Sequence, residues 1–250
     1  MSLPIHFRKP STISHNDPIS ENPCASYHLI FMISGNPGLI SYYSMFLSTL
    51  HKLLIDKNQD SDVFQIYGQS LAGFELNDRP HPVTCMPYSL EDQIEILLQV
   101  LNDRNIPSGP RKGQNYDSII LMGHSVGTYI IMEILNRLRK SLSPLKVKAG
   151  ILLFPTVVHL AKSPSGVKFS GFFKIPGFTR GLSIVGKTLF WPIPRSMLKW
   201  LVGLVLCMPA DSAETTTRFL KSNMGIWQAL WVVLPELKAV LTGLQVHGER

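Results

Sequence analysis

The stretch that decides the fold runs from Ser118 to Leu135 and reads SIILMGHSVGTYIIMEIL. An apolar run leads into Gly123-His124-Ser125-Val126-Gly127, and a pattern with helical spacing follows. A serine in G-x-S-x-G between a strand and a helix is typical of a nucleophile held on a sharp turn, with its hydroxyl exposed above the sheet. The alternative is an ordinary packing turn. The strand before the pentapeptide and the helix after it favour a nucleophile at Ser125.

The two glycines have a physical reason in this interpretation. Side chains two positions before and after such a corner would collide with each other and with the neighbouring strand, so we expect Gly123 and Gly127 to be needed for space. Val126 would begin the helix, and its N–H would then point at an oxyanion that develops beside Ser125, aided by the helix dipole. Val126 is therefore one predicted oxyanion donor.

A second donor is predicted after the first apolar run, HLIFMIS. Ser34-Gly35-Asn36-Pro37-Gly38 follows this run and precedes a helical pattern, the position from which such sheets supply the other oxyanion donor. Pro37 has no N–H, so the Asn36 N–H is the better candidate. The alternative is a Pro-Gly turn into a helix. The spacing of the helix that follows predicts one apolar face made of Tyr42, Phe46, Leu50 and Leu53.

Strand and helix patterns alternate along the chain as far as Pro155, which indicates βαβ units and a mostly parallel sheet. Past Pro155 the alternation stops, and prolines break an aromatic, basic segment into short helices at most. We therefore predict four regions: a loose leader over 1–26, an α/β core over 27–155, a cap or membrane-associating insert over 156–234, and an atypical tail over 235–250.

The net charge of +7 is concentrated in the third of these regions. Between Ile134 and Ala210 the chain holds half of its 24 Lys and Arg residues and none of its 17 Asp and Glu residues. Because the same segment is rich in large apolar residues, an anionic membrane surface fits it better than nucleic acid does. The predicted membrane anchors are Phe172, Phe173, Phe190, Trp191 and Trp200, with Lys187 and Lys199 between them. The alternative is a cap whose apolar residues turn inward.

Other classes of protein are disfavoured. The 3 cysteines are widely spaced and form no CxxC pair, which argues against a zinc site or a disulfide framework and suits a reducing compartment. No metal cluster, nucleotide loop or redox motif is visible, so we expect no cofactor. The leader carries no apolar stretch of the kind that marks a secretory signal.

Three segments together resemble the lipid droplet-associated hydrolases, a branch of the α/β-hydrolase superfamily: SGNPGLISYYSMFLSTL, GHSVGTYIIMEIL and LLFPTVVHLAKSPSG, across roughly 28–170. The resemblance implies an α/β-hydrolase fold, a mostly parallel sheet flanked by helices, with a hydrophobic, basic cap. It also implies a serine hydrolase of lipid esters, with sterol esters as the proposed class, on lipid droplets and on the cytosolic side of the endoplasmic reticulum. Ser125 matches the nucleophile position of the family.

The acid and the base of a triad are not identifiable. In this superfamily they follow the nucleophile in the order Asp or Glu, then His. The histidines after Ser125 are His159 and His247. The carboxylates after it are Glu133, Asp211, Glu214, Glu236 and Glu249. None stands in the expected context, and Asp211 with Glu214 resembles the N-cap and first turn of a helix.

We therefore expect a chain that lacks the last strand–helix units of the fold, and that is poorly stable and at best weakly active. A non-catalytic protein that binds lipid droplets through residues 160–210 is the alternative function. A third possibility, an α/β scaffold for protein contacts, has no feature of its own in its favour.

Overall fold

The computed structural model describes residues 11–16, 24–57, 62–74, 87–155, 177–222 and 224–232. The chain divides into two units, the first formed by Met1–Ala72 with Glu91–Pro155 and the second by Gly73–Leu90 with Thr156–Arg250. One division between the two units lies after Pro155. The segment Gly73–Leu90, which the sequence placed in the core, belongs to the second unit instead.

The first unit contains a five-stranded sheet in the order β1-β3-β2-β4-β5. Its strands are β1 (Thr12–Asn16), β2 (Ser26–Ile33), β3 (Asp62–Gln69), β4 (Ser118–His124) and β5 (Val147–Leu153). Its helices are α1 (Ser44–Lys57), α2 (Leu90–Asn102) and α3 (Val126–Lys140). β2 pairs in parallel with β3 and β4, and β4 pairs in parallel with β5. The predicted α/β class, a mostly parallel sheet with flanking helices, is confirmed.

The first strand corrects the expectation of a loose leader. β1 lies inside residues 1–26 and pairs antiparallel with β3, with Thr12 opposite Gln69 and Asn16 opposite Gln65. Its side chains alternate between exposed and partly buried. A five-residue edge strand that carries one apolar residue, Ile13, gives too little alternating hydrophobicity to be recognised from sequence.

The core of this unit lies around the central strand. Ile30 and Met32 of β2 pack with Ile66 of β3 and Met122 of β4, and Ile40 and Leu47 cover them. Burying an apolar side chain of this size contributes about 1.5–3 kcal/mol. β2 is buried along almost its whole length, as expected of a central parallel strand.

The predicted apolar face of α1 is confirmed at Leu50 and wrong at Phe46 and Leu53. Leu47 is fully buried and Tyr43, Leu50 and Leu54 pack against the core, whereas Phe46 is 43% and Leu53 is 51% exposed. The reason is a 3-10 turn, Ile40–Tyr43, that precedes α1. A 3-10 turn has about 3.0 residues per turn rather than 3.6, so a face extrapolated from Tyr42 falls out of phase with the helix.

In the described part of the second unit the helices are α4 (Phe178–Phe190), α5 (Arg195–Leu206) and α6 (Ala210–Leu220), with further helical residues over 225–232. Pro194 and Pro209 occupy the N-cap positions of α5 and α6, so proline does divide this segment into short helices. Asp211 lies in the first turn of α6 and not at its N-cap. Within this unit Leu198, Val202 and Ala213 form a buried cluster.

Among the described residues no single helix is both long and apolar enough to cross a membrane. α4 and α5 taken together reach the required length and composition, but the chain bends by 110° between them.

Candidate active site

The end of β4 forms a strained corner at Ser125. β4 ends at His124 and α3 begins at Val126, which leaves Ser125 alone between them with φ 51° and ψ −122°. An L-residue with a side chain adopts a positive φ rarely and at a cost of about 1–3 kcal/mol, so the surrounding structure must hold it there. Ser125 is partly buried, and it stands at the carboxyl end of the parallel strands, where open α/β sheets bind ligands.

The glycines on either side make this corner possible. A Cβ on Gly123 would lie 2.6 Å from the carbonyl oxygen of Gly127, and a Cβ on Gly127 would lie 2.5 Å from the carbonyl oxygen of Ile33 at the end of β2. Both distances are shorter than real Cβ contacts, and both neighbours are backbone atoms that cannot move aside alone. The turn can pack this closely only with glycine at the two positions.

Backbone hydrogen bonds hold Ser125 from both sides. Its N–H donates to the carbonyl oxygen of Leu153 at the end of β5 over 3.0 Å. Its own carbonyl oxygen accepts from the Thr128 N–H over 2.9 Å and from the Thr128 hydroxyl over 2.6 Å. Val126 is the first residue of α3, so its N–H has no acceptor within the helix and is available to a bound oxyanion.

The loop after β2 packs directly against this corner. A Cβ on Gly35 would lie 2.6 Å from His124 Nδ1 and 3.2 Å from Ser125 Cβ, so a residue with a side chain there would have to displace His124. Asn36 follows it and is partly buried. The two segments that the sequence selected separately, the loop and the serine corner, are therefore in contact.

Tyr43 joins the two segments, a contact that was not predicted from sequence. Its hydroxyl oxygen accepts a hydrogen bond from the Gly35 N–H over 3.0 Å and lies 3.0 Å from His124 Nδ1. Burial lowers the pKa of His124 and raises the pKa of Tyr43, so both groups are neutral near pH 7. A tyrosine beside a Pro-Gly turn is a weak signal, since its spacing from Ser125 depends on the fold.

Phe154 borders the same corner from the end of β5. Its ring meets the His124 ring edge to face, with centroids 5.8 Å apart, and its backbone has φ 48°. The side chain is 80% exposed. Two non-glycine residues with positive φ thus lie beside each other at this end of the sheet.

No described group acts as a base for Ser125 in this structure. Within the described ranges, the Ser125 hydroxyl forms no hydrogen bond to a histidine or a carboxylate. His28 bonds Asp62 and Ser118 at the other end of the sheet, and His15 stacks on His51. Of the carboxylates considered from sequence, Glu133 lies on α3, Asp211 on α6, and Glu214 pairs with Lys199 within the second unit. His159, His247, Glu236 and Glu249 lie outside the described residues.

The predicted membrane anchors differ in how exposed their side chains are. Trp191 and Trp200 are 61% and 64% exposed, and the Lys187 ammonium lies 5.8 Å from the centroid of the Trp191 ring. Phe190 differs from the expectation, because it packs inward against the Leu198 cluster. Phe172 and Phe173 lie outside the described residues.

A metal centre finds no support in the part of the chain that the structure describes, since no three His, Cys, Asp or Glu side chains there are grouped as ligands. The arrangement instead places a strained serine beside a helix N-terminus, whose first N–H groups can stabilise a negatively charged oxygen.

Comparisons with known proteins identify a family that this chain resembles. A family model described as "Lipid-droplet associated hydrolase" matches residues 26–246. The lipid droplet-associated hydrolase of Rattus norvegicus is 31% identical over 190 residues, which cover 72% of this chain and 52% of that protein. The protein of the same name from Dictyostelium discoideum is 31% identical over 205 residues, covering 80% of this chain and 58% of that protein.

The chain thus spans about half the length of the curated relatives that it matches. Among solved structures, a laboratory-evolved variant of potato epoxide hydrolase aligns with 94% of this chain and 79% of its own, at 18% identity and a TM-score of 0.48. The family match covers most of the chain, including the loop and the serine corner. The chain belongs to the lipid droplet-associated hydrolase family.

Proposed function

We propose that this chain is a serine hydrolase of lipid esters that acts by acyl transfer through Ser125. The observation that carries the proposal is the backbone of Ser125, held at φ 51° between a strand and a helix at the ligand-binding end of the sheet. A serine with no chemical role would gain stability by leaving this conformation, whereas a nucleophile needs the exposure that the corner gives it.

The proposed reaction uses this geometry. Ser125 Oγ attacks the ester carbonyl carbon, the carbonyl electron pair moves to its oxygen, and collapse of the intermediate breaks the bond to the alcohol, which leaves with a proton. Water then attacks the acyl-enzyme carbonyl carbon, releases the carboxylic acid and returns a proton to Ser125 Oγ. The N–H groups of Val126 and Asn36 stabilise the oxyanion, with Gly123 and Gly127 keeping the corner tight. Removing one donor of this kind typically costs about 10²–10³ in kcat. The proton of Oγ needs an acceptor, and the acid and base remain unassigned.

The substrate class rests on the family name and on the surface of the second unit. Its described part exposes large apolar side chains on two helices and the turn between them: Leu182, Ile184, Val185, Leu189, Trp191, Met197, Trp200, Leu204, Val205 and Leu206. Such a surface beside basic residues suits the headgroup boundary of a lipid monolayer. We place the enzyme on lipid droplets and on the cytosolic face of the endoplasmic reticulum, with sterol esters as the first substrates to test and no nucleic-acid partner.

The same surface favours a second function, a non-catalytic protein that binds lipid droplets through residues 160–210. Substitution separates the two. Ser125→Ala should abolish ester hydrolysis and leave droplet binding unchanged if the chain is a hydrolase.

Covalent labelling tests the nucleophile. The purified chain is incubated with a fluorophosphonate, which forms a bond from phosphorus to Oγ as fluoride leaves. We expect slow labelling that Ser125→Ala removes. Ser48→Ala is the matched control, because the Ser48 hydroxyl only donates to the Met45 carbonyl oxygen on the surface of α1. Labelling that is equal in wild type and Ser125→Ala would overturn the proposal.

Flotation with artificial droplets tests the surface. Droplets with a neutral-lipid core and a monolayer of phosphatidylcholine with phosphatidylserine are mixed with the wild type and with a variant in which Trp191, Trp200, Lys187 and Lys199 are all replaced by Ser. We expect the variant to lose at least about tenfold in droplet binding, since each buried indole contributes over 1 kcal/mol. A matched Phe190→Leu variant, altered at the inward-facing ring, should still bind. Undiminished binding of the quadruple variant would contradict the membrane role.

A further inference from the structure

One polar contact beside Ser125 has no place in the proposed reaction. The Tyr43 hydroxyl lies between the Gly35 N–H and His124 Nδ1, at 3.0 Å from each. Gly35 belongs to the loop that supplies one oxyanion donor, and His124 is the residue before the nucleophile. Tyr43 itself stands at the end of a 3-10 turn, outside both segments.

The hydrogens can be assigned from the contacts. The Tyr43 oxygen accepts from Gly35, which leaves its single hydrogen to donate to His124 Nδ1. His124 then carries its own hydrogen on Nε2 and is neutral, in agreement with the lowered pKa that burial gives it. In this assignment the Gly35 N–H donates to the Tyr43 oxygen, and the Tyr43 hydroxyl donates to His124 Nδ1.

The contact occupies one N–H group of the loop. The Gly35 N–H donates to Tyr43 and Pro37 has no N–H, so neither residue offers a donor to an oxyanion. Gly35 has no side chain of its own, and a Cβ there would lie 2.6 Å from His124 Nδ1. The Tyr43 side chain therefore joins the backbone of the loop to the residue that precedes Ser125.

We propose that Tyr43 is a positioning residue that clamps the oxyanion loop onto the serine corner, through one hydrogen bond to the Gly35 N–H and one to His124 Nδ1. This inference rests on the proposed function of Ser125. It assigns to Tyr43 the position of the loop backbone relative to Ser125, so loss of its hydroxyl should slow the chemical step and leave reversible binding nearly unchanged.

Tyr43→Phe tests the clamp by the kinetics of fluorophosphonate labelling of Ser125. The phosphoryl oxygen of the probe would take the place of the oxyanion, so we expect the maximal rate constant of labelling to fall about tenfold or more. The concentration for half-maximal rate should change less than about threefold, because this is a positioning effect. An unchanged maximal rate constant would overturn the inference, whether or not the concentration for half-maximal rate had risen.

Tyr116→Phe is the matched control. Its hydroxyl is also buried and donates to Gln65 at the other end of the sheet, so removing it costs stability without touching the loop. Labelling by this variant should keep the wild-type rate constant. Equal losses of the labelling rate constant in Tyr116→Phe and Tyr43→Phe would show that lower stability of the fold causes the effect, and would refute the clamp.

A double-mutant cycle with His124→Leu completes the test. If Tyr43 acts partly through His124, the double variant should lose far less than the product of the two single losses, and fully independent effects would contradict the clamp. Failure of the proposed function is distinguishable, because wild-type chain that never labels at Ser125 rejects the nucleophile before any Tyr43 variant is compared.

Discussion

At the amino end of the sheet in the first unit, polar side chains bond one another, whereas the carboxyl end holds strained and unbonded groups. At the amino end His28 bonds both the Ser118 hydroxyl and Asp62, over 2.6 and 2.8 Å. The Arg111 guanidinium binds Asp117 with two nitrogens, and the Asp117 carboxylate also accepts from the Tyr27 N–H over 2.8 Å. These contacts join the starts of neighbouring strands.

At the carboxyl end the conditions are reversed. Ser125 and Phe154 both have positive φ, at 51° and 48°. The Ser34 hydroxyl is fully buried, and within the described part of the chain it has no hydrogen-bond partner. Strain and unbonded polar atoms of this kind cost stability, and they persist at functional sites because the rest of the fold holds them.

The two ends therefore differ in their expected effect on stability. The polar groups named at the amino end are hydrogen-bonded, so we expect substitutions there to lower the free energy of unfolding. The carboxyl end includes conformations whose relief would stabilise the chain and damage the site. Three substitutions test this contrast, in decreasing order of expected effect.

Gly127→Ala should have the largest effect. The new Cβ would meet the carbonyl oxygens of Ile33 and Ser34 at 2.5 and 2.9 Å, so β2 and α3 must separate. We expect a loss of about 3 kcal/mol in the free energy of unfolding, at the upper end for overpacking, measured by urea denaturation. Gly150→Ala is the control, since its Cβ would meet Ile131 at an ordinary 3.7 Å. Equal stability of the two variants would show that the corner is not tightly packed.

Asp117→Asn should have an intermediate effect at the amino end. The hydrogen bond from Arg111 lowers the pKa of Asp117 to about 2 from 3.8. The unfolded chain therefore binds this proton more readily, and the stabilisation is present above pH 3.8 and is lost as the pH falls toward 2. Because the side chain is 32% exposed, we expect about 1 kcal/mol at pH 7.

Urea denaturation of Asp117→Asn at pH 7 and near pH 2 measures this difference. The gap to wild type should be present at pH 7 and close to zero at the lower pH. Asp103→Asn is the control, because it removes the same charge from an exposed residue. A gap that persists near pH 2, or one that Asp103→Asn reproduces, would contradict the assignment.

Phe154→Gly should have the smallest effect and the opposite sign. Glycine adopts φ 48° without the cost of about 1–2 kcal/mol that a left-handed residue with a side chain pays, and it loses part of this gain to unfolded-state entropy. We expect the free energy of unfolding, measured by thermal denaturation, to rise by about 0.5 kcal/mol. Leu142→Gly is the control, because Leu142 has φ 50° after α3, far along the chain from the serine corner. A loss at both positions would disprove backbone strain as the cause.

Much of this site was accessible from sequence because its constraints are local. The glycines of the serine corner are required by contacts with β2 and with each other, and a strand pattern followed by a helix pattern marks such a corner. The loop at Asn36 follows the same logic. The contact between Gly123 and Gly127 arises within a few residues, which residue types report directly, whereas the contact of Gly127 with Ile33 depends on the sheet.

The remaining features depend on contacts between distant segments. Tyr43 and His124 are far apart in sequence, and nothing in the Tyr43 segment indicates a partner. The buried face of α1 was mistaken because a 3-10 turn shifted its phase. β1 was missed because an edge strand needs little hydrophobicity. Gly73–Leu90 joins the second unit through contacts such as those of the Gln228 amide with the Tyr88 backbone, which no local pattern reveals.

The most direct test of the central claim compares labelling of the folded and the unfolded chain. The chain is treated with a fluorophosphonate in buffer and in urea concentrated enough to unfold it. The peptide that carries Ser125 is then examined by mass spectrometry. Modification of Ser125 in the folded chain and not in urea is the result that the account predicts, since the fold creates the nucleophile. Equal modification in both states, or modification of other serines in place of Ser125, would contradict it.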